Sequence, residues 1–446
     1  MDFEKIEAAL QKVAEIDQSG YQLNSVLALT KDLKFNEASG PLSGVPILIK
    51  DNIEAIGLPA TAGSLALQDT EVVRDSTIAK RLRAAGATII GSTNLSEWAN
   101  IRSGKSTSGW SAVGGLTANP WKHAHSAGGS SSGSGAAVGA GLVSMAVGSE
   151  TDGSIVCPAS LNGCVGIKPT VGAIPRDAMI PISASQDTPG PMAQTVAQTA
   201  ALLDVLTNKN LYTKAVNSED PIRIAYVKEW ATADTGTNQL FAELLSKVSA
   251  ANIKVTEISL PAPTDEDGTA EFQVLMHELN EDLATYLEGR SGARVYSLSD
   301  VVKFNVNNAS VEMKYFGQEF FEQALELGGR NSNYAKLRKE NLDWAINRVL
   351  TPAFADFDIL IGETYAPAWK SNLGGGDNFS SATWITMAPA IAGTPIGCLP
   401  MGLVDGLPVG VGVVSRANEE SRLISAMAKI EKVLDLGILI PSLTKN

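Results

Sequence analysis

Three residues carry the chemistry this chain can offer: Lys50, Ser130 and Ser154. Lys50 ends the apolar run GVPILIK (44–50), Ser130 sits in the glycine–serine cluster AGGSSSGSG (127–135), and Ser154 sits in ETDGSIVCPAS (150–160). A hydroxyl nucleophile needs a base, and the usual one is scarce. His123, His125 and His277 are the only histidines among 446 residues. A lysine buried behind an apolar strand can serve instead, because desolvation disfavours its charge and leaves a neutral amine. Gly153, just before Ser154, predicts a tight turn whose N–H groups can hold a tetrahedral oxyanion.

Each segment also has a plainer reading. The cluster can be a flexible loop, Ser154 a capping serine in a loop, and Lys50 a strand-end lysine emerging into solvent. Two features favour the chemical reading of the cluster. It is short and runs directly into an apolar helix, which places it inside the fold. Its glycines also free the backbone for the unusual angles that aim a side chain.

The elements that must position these residues alternate between short apolar runs and helical patterns. Strands are predicted over 46–49, 88–90, 223–227, 254–258, 358–361 and 409–414. Helices are predicted over 76–85, stopped by Gly86, over the small residues 136–147, and over 419–434, where Leu423, Ala426, Ile430 and Val433 share a face. The alternation points to an α/β layered fold with a mixed or parallel sheet. No repeat and no Pro-rich or charged linker divides the chain, so residues 1–446 read as one domain. Residues 202–390 are more helical, charged and aromatic, and read as an elaboration on the substrate side.

Bulk properties remove other classes. A net charge of −13 argues against a nucleic-acid binder and against an anionic membrane surface. Cys157, Cys164 and Cys398 are too scattered for a disulfide framework, which predicts a reducing, cytoplasmic setting. The N-terminal FEKIEAALQKVAEID reads as an amphipathic helix rather than a signal peptide. Pro and Gly break every apolar run before the roughly 18 residues a membrane span needs.

Four stretches together resemble the amidase signature family. GPLSGVPILIKDNIEAIGLPATAGS is similar to its lysine segment, and TANPWKHAHSAGGSSSGSGAAVGAGLVSMAVGSETDGSIVCPASLNGCVGIKPT to its long serine signature. SQDTPGPMAQTV and GTPIGCLPMGLVDGLPVGVGVVS match two further blocks. The separation of Ser130 and Ser154, 154 − 130 = 24, agrees with the family spacing. The resemblance implies a single large α/β domain with a mixed central sheet covered by helices on both faces. It also implies a Ser–cisSer–Lys triad. Ser154 would be the nucleophile, Ser130 the bridge after a cis peptide bond, and Lys50 the base. The N–H groups of Thr151, Asp152, Gly153 and Ser154 would form the oxyanion hole, with Ser131 in support. Ala99, Asn100 and Gly129 would border the acyl site, and no metal or cofactor is implied. One departure stands out: Val156 occupies the position where many members carry arginine.

Rival motifs fit less well. Gly129–Gly133 matches the nucleophile-elbow pattern around Ser131, which would need a preceding strand and His277 as base. Gly104-Lys105-Ser106 resembles the end of a phosphate loop, but Ala99 stands where glycine is required. His123 and His125 read as loop residues rather than zinc ligands.

The expected activity is therefore hydrolysis of linear carboxylic amides through an acyl-enzyme. C-terminal peptide amides lead, because DGSIVCPA followed by SQDTPGPM resembles the peptide-amidase subgroup; small aryl or aliphatic amides come next. The alternatives are a glutaminase-type subunit delivering ammonia within a tRNA-dependent amidotransferase, and a histidine-dependent serine esterase. Trp230, Trp344, Trp369 and Trp384 are candidates to line an apolar pocket. The oligomeric state is left open.

Overall fold

The computed structural model describes residues 3–444. Thirteen strands form among them: β1 Val26–Leu29, β2 Pro46–Lys50, β3 Thr88–Thr93, β4 Trp110–Ser111, β5 Gly115–Leu116, β6 Met145–Glu150, β7 Val165–Lys168, β8 Thr188–Ala193, β9 Ile224–Val227, β10 Val255–Ile258, β11 Ile359–Glu363, β12 Ile396–Val404 and β13 Leu407–Ser415. Strands β4 and β5 form a separate ribbon, and the other eleven join one sheet in the order β1-β3-β2-β6-β8-β7-β12-β13-β11-β9-β10. The sheet is mixed. Strand β2 lies parallel to β3 and β6, while β6–β8, β8–β7, β7–β12 and β12–β13 are antiparallel.

Burial on both faces follows from side-chain alternation. In PILIK, Leu48 joins one apolar cluster while Ile47 and Ile49 join another, because successive residues of a strand point to opposite faces. Helices Ser132–Gly139 and Val156–Asn162 lie in the first cluster. Helices Thr77–Ala84, Val196–Thr207, Thr235–Ala250 and Glu420–Leu434 lie in the second. Helices therefore cover both faces. A third cluster packs Trp98 and Ile101 against the helices between residues 265 and 327. Residues 202–390 also supply β9, β10 and β11 to the main sheet.

One predicted helix is corrected. The small-residue helix over 136–147 is two elements: it begins at Ser132, ends at Gly139, and β6 begins at Met145. Gly139 and Gly141 weaken the helix, and Gly141 turns left-handed at φ 68°. Gly139 also packs so close to Asn162 that a Cβ would lie 2.3 Å from its carbonyl oxygen. The predicted helix over 76–85 forms as Thr77–Ala84, with the Ser76 hydroxyl accepting the Ala79 N–H. Among the described residues, no helix is long and apolar enough to cross a membrane.

Candidate active site

Lys50 ends β2 with its side chain wholly buried. Because Ile49 pairs with Val147 of the parallel strand β6, the amine emerges beside Ser149. Lys50 Nζ lies 2.7 Å from Ser130 Oγ, 3.0 Å from Ser149 Oγ and 3.1 Å from the Ser149 carbonyl oxygen. Ser149 Oγ also accepts the Asn52 amide at 2.9 Å. Burial pushes the amine down to about 7 from an ordinary 10.5, against the opposing pull of the Asp187 and Glu150 carboxylates. A neutral amine has two N–H groups and one lone pair. Donation to the Ser149 carbonyl and hydroxyl uses both N–H groups, which leaves the lone pair facing the Ser130 hydroxyl.

Ser130 is wholly buried and follows a cis peptide bond from Gly129. Its carbonyl accepts the Ser96 N–H at 3.1 Å. Gly129 leaves no space for a side chain, since a Cβ would lie 2.2 Å from Ser96 Oγ and 2.7 Å from Ser108 Oγ. Ser131 braces the two serine segments. Its hydroxyl donates to the Ser149 carbonyl at 3.0 Å and accepts the Ser149 N–H at 3.1 Å, while its own N–H donates to the Ser154 carbonyl at 3.1 Å. These contacts form with Val156 in the arginine position, its side chain buried in the core.

The turn before Ser154 is shaped by Gly153, left-handed at φ 74°, where a Cβ would lie 2.9 Å from the Tyr365 hydroxyl. The N–H groups of Thr151, Asp152, Gly153 and Ser154 meet no acceptor among the described residues. The next two, Ile155 and Val156, both donate to Glu150 Oε2, at 2.6 and 2.9 Å. Asp187 anchors the turn from behind: it accepts the Thr151 hydroxyl at 2.6 Å, and its other oxygen accepts the N–H groups of Ile182 and Ser183. Four adjacent, unengaged N–H groups are what a developing oxyanion requires. Ser154 is 8% exposed, and its hydroxyl has no hydrogen bond to Ser130 or to any other described residue. Lys50 and Ser130 are thus in hydrogen-bond contact, and Ser130 and Ser154 are not.

Ala99, Asn100 and Gly129 come together. Ala99 and Asn100 are left-handed at φ 53° and 72°, and the Asn100 amide donates to Ser108 Oγ, which borders Gly129. Ser108 in turn donates to Asp377 at 2.6 Å, tying on the loop that carries Trp369 and Phe379.

Several residues here carry no signal of their own in the sequence. Ser149, Asn52, Asp187 and Glu150 act through strand pairing and loop closure, and only the alternation of AVGSE marks Ser149 as a strand position.

His277 is not available to an elbow serine. It is buried, with Nδ1 2.7 Å from the Gly329 carbonyl and Nε2 3.3 Å from the Asn333 amide. Ser131 is occupied with Ser149, so the histidine-esterase alternative has neither base nor nucleophile. His123 packs edge-on against Tyr21, and the backbone of His125 forms an isolated antiparallel bridge with that of Lys370. Among the described residues, no group of three or more His, Cys, Asp or Glu side chains could hold a metal ion. The tryptophans mostly build the core rather than a pocket. Trp230 and Trp344 are 1% exposed and both pack edge-to-face on Trp384.

The Amidase family profile matches residues 4–424, and the chain belongs to the amidase signature family, enzymes that hydrolyse C–N bonds. It is 33% identical to a glutamyl-tRNA(Gln) amidotransferase subunit of Methanococcoides burtonii, covering 96% of this chain and 92% of that one. Among solved structures it is similar to a peptide amidase in complex with the competitive inhibitor chymostatin, at TM-score 0.91 and 36% identity over 98% of this chain and 94% of that one. The native peptide amidase of Stenotrophomonas maltophilia matches at TM-score 0.87 and 36% identity, over 97% and 93%.

Proposed function

We propose that this amidase cleaves linear carboxylic amides, C-terminal peptide amides foremost, through an acyl-enzyme on Ser154. Neutral Lys50 takes the Ser130 proton as Ser130 takes that of Ser154, and Ser154 attacks the amide carbonyl. The N–H groups from Thr151 to Ser154 receive the oxyanion. The relay then protonates the leaving nitrogen, and water releases the acyl group by the reverse path. The base is supplied by the protein, so the steps need no metal. The observation that carries this reading is the buried Lys50 amine, within hydrogen-bond distance of Ser130 Oγ at 2.7 Å and of the Ser149 hydroxyl and carbonyl at 3.0 and 3.1 Å. The Ser130–Ser154 contact is expected to close when substrate fills the site, as catalytic hydrogen bonds often tighten only then.

Peptide amides rank first because the similarity to solved peptide amidases is high in both shape and identity. A glutaminase role with a partner chain is kept as the second reading, because the amidotransferase relative matches almost the whole chain. Ammonia release from a dipeptide amide, an aryl amide and glutamine separates the two. Fast turnover of the dipeptide amide by the chain alone supports the first; activity confined to glutamine, and rising with a partner, supports the second. Intact mass should show an acyl adduct that is absent from Ser154→Ala. The cysteines Cys157, Cys164 and Cys398 are buried and free, which supports a cytoplasmic setting.

A further inference from the structure

Asp187 anchors the turn before Ser154, and the loop that carries Asp187 is itself held by a helix of the 202–390 stretch. Asp187 Oδ1 accepts the Thr151 hydroxyl at 2.6 Å, while Oδ2 accepts the N–H groups of Ile182 and Ser183 at 2.7 and 2.9 Å. Residues 182–187 belong to no helix or strand. Carboxylates shape them instead. Four of the six N–H groups from Ile182 to Asp187 end on a carboxylate, and those of Gln186 and Asp187 turn back to the Ser183 carbonyl. Two of the four go to Asp187 itself, and the other two go to helix Asp265–Glu288. Glu278 Oε2 accepts the Ser185 N–H at 3.0 Å and the Ser183 hydroxyl at 2.5 Å, and Asp282 Oδ2 accepts the Ala184 N–H at 2.6 Å. Glu271, two turns earlier on the same helix face, accepts the Gln186 side-chain amide at 3.0 Å.

We infer that Glu278 is a positioning residue for amide cleavage: it holds loop 182–187 in the shape that presents Asp187 to Thr151, and so aligns the N–H groups from Thr151 to Ser154. The inference rests on the proposed use of those N–H groups for the oxyanion. Glu278 is 1% exposed, and both of its oxygens are engaged. Besides the loop contacts on Oε2, its Oε1 accepts the Tyr334 hydroxyl at 2.6 Å, and Arg330 lies 3.7 Å from Oε2. Burial works against the charge, but the Ser183 and Tyr334 hydroxyls, the Ser185 N–H and Arg330 outweigh it and hold the carboxyl below its ordinary range. A carboxylate can only accept, so every one of these bonds points toward Glu278. Arg330 closes the clamp from the far side, donating to Glu281 at 2.8 Å and to the two Asp282 oxygens at 2.8 and 2.9 Å. Ser183 is wholly buried. Without Glu278 its hydroxyl is left with the Ser185 hydroxyl at 3.3 Å, and the Ser185 N–H loses its acceptor. Buried donors left unpaired are costly, and this loop has no strand or helix of its own to resist moving toward new partners.

The test is a double-mutant cycle between the two ends of this chain of contacts, E278A and T151V, with E278Q as the conservative control. Steady-state kinetics use whichever of the dipeptide amide, the aryl amide and glutamine the wild type turns over fastest. E278A should lower kcat by roughly ten- to a hundredfold with KM within about threefold, because the loss falls on the transition state. E278Q should recover to within about threefold of wild type, since its carboxamide oxygen accepts the same two donors of the loop. T151V keeps its N–H but loses the Asp187 contact, and should fall about as far as E278A. The double variant should lie within about threefold of T151V alone, because both changes break one chain. A wild-type kcat in E278A, an E278Q as slow as E278A, or losses that multiply in the double variant overturns the inference. Should E278A not fold, S183A removes the hydroxyl end of the same contact and must show the same coupling to T151V. The outcome is separable from the triad reading. If that reading fails, Lys50→Ala and Ser154→Ala keep their activity; if only this inference fails, both are inactive, the acyl adduct still forms and E278A turns over at the wild-type rate.

Discussion

Lys50 and Lys168 occupy the last positions of two strands in one sheet, and neither has any exposed surface. Burial pushes both amines down, Lys50 to about 7 and Lys168 to about 8, with nearby carboxylates opposing in each case. Their partners differ. Lys168 faces only carbonyl oxygens, Thr394 at 2.7 Å and Pro389 at 3.3 Å, which can receive a proton-bearing group but never give one. Lys50 faces the hydroxyl of Ser130, which can give its proton to the amine lone pair. A depressed pKa makes a lysine able to act as a base, and the chemistry of its neighbours decides whether it does.

The largest expected effect follows from that contrast. Lys50→Ala should lower kcat by roughly a thousandfold or more, as loss of general-base catalysis does. Lys168→Met should instead leave folded enzyme active within about tenfold and cost about 1–3 kcal/mol of stability through its two carbonyl contacts. Parallel steady-state kinetics and urea unfolding check both, and equal kinetic losses would dissolve the contrast. Gly153→Ala comes next. Its φ of 74° and the Tyr365 hydroxyl 2.9 Å from the new Cβ should misplace the N–H groups proposed to receive the oxyanion. A fall in kcat of about a hundredfold is expected, with little change in KM. Ser149→Ala is smaller. It removes one acceptor of the Lys50 N–H while keeping the Ser149 carbonyl, and should reduce kcat/KM by about tenfold, the equivalent of one net hydrogen bond. His277→Ala should be the smallest, a loss of stability with kcat within about twofold, because both its ring nitrogens serve the helical layer.

Stability against pH cannot separate the two lysines. Both have folded values below the ordinary 10.5, so the unfolded chain binds more protons between the folded and unfolded values. Stability should therefore rise with pH from about 7 to 10.5 for Lys50 and from about 8 for Lys168. Activity is the property that distinguishes them.

The legible parts of this molecule are the local ones. An apolar run ending in lysine reads as a buried strand, and glycines beside serines mark backbone that takes unusual angles. Helices 77–84 and 420–434 follow from apolar spacing and, in the first, from the Ser76 cap. Strands β8 and β12 are harder to see. Pro189 and Pro191 in one, and Pro400 in the other, count against a central strand, yet each pairs within the sheet opposite Ser149, Val147 and Gly410. The 136–147 stretch misleads because small residues suit a helix until Gly139 and Gly141 end it. Within the site, Ser149 is invisible in one dimension. Its contact with Lys50 exists only because β2 and β6, almost a hundred residues apart in sequence, run parallel with Ile49 opposite Val147.

The account turns on Lys50 being an uncharged base, and kcat/KM measured against pH for an amide without ionisable groups tests it most directly. The rate should climb as pH rises through about 7, where the amine loses its proton. A profile that stays level well below that value, with Lys50→Ala sharing it, would contradict the account.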